Sequence, residues 1–132
     1  MSQENVEIVR RFYEAFTRGD DEAALDLYAP DARWDDSRFR PEGKVHRGRA
    51  GLVELVRTWV GTWTDYSFTL KEVLDGGDRI VAICEERGTG KGSGLEMSTR
   101  YGAVLTITGG KITNVVIHSD SGEALEAAGL SE

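Results

Sequence analysis

Apolar side chains recur every three to four positions near the start of the chain, where Val6, Val9, Phe12, Tyr13 and Phe16 form one stripe. That spacing predicts an amphipathic helix over residues 3–18. Gly19 supplies its stop, and Asp20 caps a shorter helix, DEAALDLY, which Pro30 ends. ARWDD is a short strand, followed by a polar loop from Ser37 to Gly48. In AGLVELVRTWVGTW, Leu52, Leu55, Val56 and Trp59 return to helical spacing and give a second long helix.

From Tyr66 onward the period shortens to that of strands. YSFTLKEVLD turns at Gly76-Gly77 into RIVAICEERGTG, a hairpin signal. LEMSTRYGAVLTI turns at Gly109-Gly110 into KITNVVIHSD in the same way. A last helix, SGEALEAAGL, has Asp120 as its cap, Glu123 three residues on, and Gly129 at its end. Helices first and antiparallel strands after predict an α+β fold with helices on one face of a curved sheet. No repeat, linker or low-complexity stretch divides residues 1–132, so one domain is expected.

Composition narrows the function classes. With 39% hydrophobic and 30% charged residues, the chain is expected to be a soluble globular protein. A formal net charge of -7 argues against general binding to nucleic acid or to an anionic membrane. The amino terminus lacks an apolar signal region, and no window approaches a spanning helix. The lone cysteine, Cys84, permits no intrachain disulfide, which suits a reducing cytoplasm. Two distant histidines without carboxylates at ligand spacing give no metal motif, and no cofactor is expected.

Three stretches resemble the NTF2-like superfamily, and in detail its SnoaL-like branch. VEIVRRFYEAFTRGDDEAALDLYAPDARWDD is similar to the opening helix, Gly-Asp turn and first strand of that family. HRGRAGLVELVRTW is similar to its re-entry into a helix, and ITGGKITNVVIHSDSGEALEAAGL to its closing hairpin and carboxy-terminal helix. The resemblance implies a cone-shaped half-barrel, a curved and mostly antiparallel sheet packed against N-terminal helices around an apolar cavity. It also implies a homodimer through the sheet's outer face. It does not imply one function, because isomerases, cyclases, dehydratases, epoxide hydrolases and binding modules share the scaffold.

Alternation puts Trp34 and Asp36 on one face of their strand, with Arg33 and Asp35 on the other. An indole beside a carboxylate removes water from its charged form and suits it to proton transfer. Counted from the Gly-Asp turn, Asp36 falls where the resemblance puts the general base of ketosteroid isomerases. The oxyanion donors of that class do not follow, since the matching positions hold Phe12 and Ala103. Each missing donor removes about 10²–10³ in rate. Tyr13, one step from Phe12, and Tyr101, in strand parity with Met97, Ala103 and Leu105, are the substitute donors. Phe12, Phe16, Trp34, Trp59, Trp63, Met97, Ala103 and Leu105 are the expected apolar lining for a hydrophobic small molecule.

Other features read as structural or stay open. Arg38, Arg40, Lys44, His46, Arg47 and Arg49 make a basic island that either gathers an anionic substrate or balances nearby acids. His118 alternates against Val115 and Ile117, so it faces away from them. GTGKGSG precedes a strand rather than a helix and reads as a mobile hairpin turn. Cys84 packs in an apolar strand, and Glu85 and Arg100 either pair across the sheet or reach the pocket. Three readings follow: acid–base chemistry on a hydrophobic carbonyl substrate with Asp36 as base, a non-catalytic binding or dimerisation module, or epoxide-hydrolase-like water activation around Arg100.

Overall fold

The predicted apolar stripe on the first helix is buried in the computed structural model, which describes residues 2–130. Helix α1 (Ser2–Thr17) buries Val9, Phe12, Tyr13 and Ala15. Gly19 follows at φ +76°, a left-handed conformation that costs a glycine little and turns the chain. Asp20 then caps α2 (Asp21–Asp26), its carboxylate accepting from the Ala23 N–H at 3.1 Å.

Helix α2 ends two residues earlier than its apolar pattern suggests, because Tyr28 already pairs with the sheet. Strand β1 (Tyr28–Asp35) therefore begins before Pro30. Its register against the neighbouring strand slips between Tyr28 and Arg33, where a proline without an N–H is tolerated. The polar loop expected after it contains a short strand, β2 (Val45–Arg47), which folds back antiparallel on Arg33, Trp34 and Asp35. Helix α3 (Gly48–Gly61) follows and packs across β1.

Four long strands complete the sheet: β3 (Trp63–Gly76), β4 (Arg79–Gly90), β5 (Glu96–Thr108) and β6 (Lys111–His118). The order is β2-β1-β6-β5-β4-β3, with β1 and β6 parallel and every other pair antiparallel. The sheet is curved and unclosed. Its concave side carries Ile80, Ala82, Cys84, Tyr101, Ala103, Leu105, Val115 and Ile117 against α1 and the Trp34 indole. The opposite side carries Val81, Ile83 and Val104 against α4 (Ser121–Ala127).

Helix α4 lies close on the sheet's back: a Cβ on Gly102 would come within 2.7 Å of the Ala124 Cβ. Asp120 caps it through the Gly122 N–H at 2.7 Å. Glu123, expected to complete a capping box, instead approaches His118 Nδ1 at 3.5 Å. His118 thus faces the α4 side, as its alternation with Ile117 predicts.

Candidate functional site

Part of the concave side is hollow. A cavity of about 480 Å³ lies between α1, α3 and the strands, within the roughly 300–1,000 Å³ of small-molecule sites. Phe12 and Phe16 of α1, Trp34 of β1, Val56 and Trp59 of α3, and Phe68 of β3 form much of its wall. A second hollow at the end of α1 shares Phe16, Asp21, Val56 and Tyr66 with it.

One acid stands buried on this wall, Glu86, only 4% exposed. Positions 80, 82 and 84 of β4 face the concave core, and Glu86 continues that row where the core gives way to the cavity. Its Oε2 accepts from the Trp59 indole N–H at 3.0 Å and from the Tyr66 hydroxyl in a short contact. Burial raises its pKa above the usual glutamate value, and those two hydrogen bonds and the charge of Arg40 pull the other way. Glu86 absent from the expected site was the main omission. Strand alternation alone carried the signal, since Glu86 shares parity with Ile80, Ala82 and Cys84 while Glu85 does not.

Asp36 is also buried, at 1% exposure, but it is not on the cavity wall. Strand β1 ends at Asp35, and the chain then winds around the Asp36 carboxylate. Oδ1 accepts from the Lys44 N–H at 2.9 Å and lies 3.4 Å from His46 Nε2; Oδ2 lies 3.4 Å from Arg40 Nε. The Asp36 carbonyl takes the N–H groups of Phe39 and Arg40, and a Cβ on Gly43 would fall 2.1 Å from that same oxygen. The loop closes too tightly for any side chain at position 43. Its effect is to aim Arg40 into the cavity, where the guanidinium carbon sits 3.8 Å from the centre of the Trp59 ring.

Tyr13 and Tyr101, the expected donors, both line the cavity and are nearly fully buried. Burial, followed by the neighbouring Cys84, holds both hydroxyls well above the ordinary tyrosine pKa. They therefore stay protonated and can donate. The Tyr13 hydroxyl lies beside the Cys84 thiol and makes no regular hydrogen bond among the described residues. Tyr13 stacks on Phe68 at 5.2 Å, and Tyr101 leans on Phe39 at 5.0 Å.

Among the expected lining residues, Phe12, Phe16, Trp34 and Trp59 are on the wall. Ala103 and Leu105 lie deeper in the packed core, and Trp63 and Met97 lie beyond the wall towards the β4–β5 hairpin. Trp63 stands edge-on to Trp59 at 5.2 Å, and its ring covers Gly88. Arg100 faces the outer side of the sheet, 4.0 Å from Glu85, and does not reach the cavity. Cys84 is buried, and its thiol is pushed up to about 12 by desolvation. Among the described residues no group of three or more His, Cys, Asp or Glu is placed to hold a metal ion, and no helix is long and apolar enough to cross a membrane.

The SnoaL-like domain family matches residues 9–115. No curated protein matches the chain. Solved structures do. An NTF2-like protein from Burkholderia pseudomallei is 25% identical, with 93% of this chain and 95% of that chain covered and a TM-score of 0.75. A protein with a ketosteroid isomerase-like fold from Catenulispora acidiphila, in complex with trimethylamine, is 21% identical over 94% of this chain and 93% of that chain, with a TM-score of 0.72. TerC, co-crystallised with polyporic acid, is 21% identical over 96% of this chain and 98% of that chain, with a TM-score of 0.76.

Proposed function

The chain belongs to the SnoaL-like domain family, and because that scaffold carries many chemistries we propose its function from the cavity itself: proton transfer on an apolar, oxygen-bearing small molecule, with Glu86 as the acid–base group. The observation that carries this reading is a buried carboxyl with a raised pKa on the wall of an otherwise largely apolar cavity. A carboxyl so tuned takes a proton from carbon beside a carbonyl, or returns one, with less mismatch to neutral pH than an exposed acid. Tyr66 and Trp59 fix its orientation from one side. Tyr13 and Tyr101 offer hydroxyls to the developing negative oxygen and so fill the role that Phe12 and Ala103 cannot. Asp36, the base expected from sequence, becomes a positioning residue that holds Arg40.

The test is exchange of the proton next to a carbonyl. Apolar cyclic and aryl ketones are incubated with the protein in deuterated buffer, and loss of the α-proton signal is followed by NMR. Exchange above the buffer rate is expected, falling by about 10²–10⁴ in Glu86→Gln while ligand binding is retained. Exchange that survives in Glu86→Gln but vanishes in Asp36→Asn with binding intact would return the base role to Asp36. Binding without any exchange would favour the non-catalytic reading.

Water activation is a second reading, carried by a different arginine from the one expected. Arg40 sits against Asp36 and within the electrostatic reach of Glu86, an acid–guanidinium–acid grouping that Arg100 does not make. Hydrolysis of an apolar epoxide that depends on both Arg40 and Glu86 would select this reading over the first.

A further inference from the structure

Arg40 is a cation on the wall of a mostly aromatic cavity, its side chain 18% exposed. From behind, Asp36 approaches its Nε at 3.4 Å. Beneath lies the Trp59 ring, whose own N–H is given to Glu86. The guanidinium and the Glu86 carboxyl therefore share one indole, yet no ion pair joins them among the described residues. No hydrogen bond from the guanidinium's terminal nitrogens to a protein group is present among those residues either. A planar fork of donors is held by packing and a rear counter-charge, with its front towards the cavity.

A guanidinium in this setting recognises a planar oxyanion better than a neutral group of the same shape, since paired charged hydrogen bonds suit its geometry. The apolar walls select what the oxyanion is attached to. The other ionisable groups on the wall do not oppose it strongly. Burial disfavours the charge on Glu86, whose Oε2 is already engaged by Trp59 and Tyr66, and Asp21 and Arg57 are exposed at the rim. We propose that the cavity takes ligands with an apolar ring-like body and a carboxylate, the carboxylate being received by Arg40 against the face of Trp59. The proposal rests on the cavity being the functional site, and it does not need Glu86 to be catalytic.

Two probes of nearly equal shape test it, biphenyl-4-carboxylate and biphenyl-4-carboxamide, titrated calorimetrically into the full chain at neutral pH. The carboxylate is expected to bind about 10–100-fold more tightly, the worth of hydrogen bonds to a charged group. Arg40→Gln should remove that preference, bringing the affinities of the two probes together. Arg40→Lys should restore part of it, since a point charge lacks the fork. Equal binding of both probes by the wild-type protein overturns the proposal and leaves the cavity as a binding site, and no variant is needed for that result. A preference that persists in Arg40→Gln also overturns it. Binding of neither probe removes the proposal together with the cavity reading beneath it.

Discussion

At Glu86 two effects oppose one another. Burial disfavours the carboxylate, while the Tyr66 hydroxyl, the Trp59 N–H and the Arg40 charge favour it, and burial wins. A folded-state pKa above the unfolded one means that the folded chain holds this proton more tightly. The stabilisation is complete below the ordinary glutamate value and is lost as pH rises through the raised one. Glu86→Gln keeps the side chain neutral at every pH, so its melting temperature should gain on the wild type as pH rises from the ordinary glutamate range through the raised pKa. Parallel melting curves across that range would contradict the raised pKa. Tyr66→Phe removes the largest of the opposing effects, so carboxyl NMR should find the Glu86 titration moved further up. The residue was readable from the parity of Ile80, Ala82 and Cys84, but two adjacent acids in one strand hide which of them faces inward.

The loop from Asp36 to Lys44 behaves as an element although it is neither helix nor strand. One buried carboxylate gathers the Lys44 N–H, Arg40 and His46, and Gly43 lets the chain pass against the Asp36 carbonyl. Asp36→Asn keeps an acceptor for the Lys44 N–H but leaves the Arg40 charge largely buried without its partner. It should cost about 3 kcal/mol, the low end for a broken buried pair because Arg40 keeps some exposure. Gly43→Ala should cost about 1–3 kcal/mol by forcing the loop open. Both are measured by thermal or urea melts. Each should also change Trp59 fluorescence, since the guanidinium over that ring would shift. An unaltered emission spectrum in both variants would show that Arg40 is not held by the loop. A basic island in sequence could not disclose this, because loop residues carry no periodicity and Arg40 is aimed by a contact with Asp36.

Across the whole molecule the concave face changes from solid to hollow. Ile80, Leu105 and Ile112 are fully buried in close packing, whereas Val56 and Trp59, only partly buried, face the cavity. Stability and binding should therefore separate along the sheet. Leu105→Ala should cost about 2–5 kcal/mol by leaving a void in the packed part. Val56→Ala should cost only about 1 kcal/mol, having less buried surface to lose, while weakening whatever apolar ligand the cavity holds. Urea unfolding of the two variants gives the comparison. Equal losses would mean that the cavity collapses in solution.

Local rules were enough for α1, whose stripe has helical spacing, and for the two glycine-turned hairpins, whose strands alternate. They were enough too for the placement of Trp34 and Tyr101 on the concave face, since alternation is a property of the strand itself. They did not predict β2, which exists only because Arg33, Trp34 and Asp35 are already in the sheet and offer it a partner. Nor did they separate Asp36 from the cavity. Parity placed it with Trp34, but β1 ends one residue before it, and the returning loop takes the carboxylate for the Lys44 N–H, Arg40 and His46. Periodicity fixes which way a side chain points within an element. Which groups meet across elements depends on distances that only the folded chain sets, and both Glu86 and Arg40 came into view at that level.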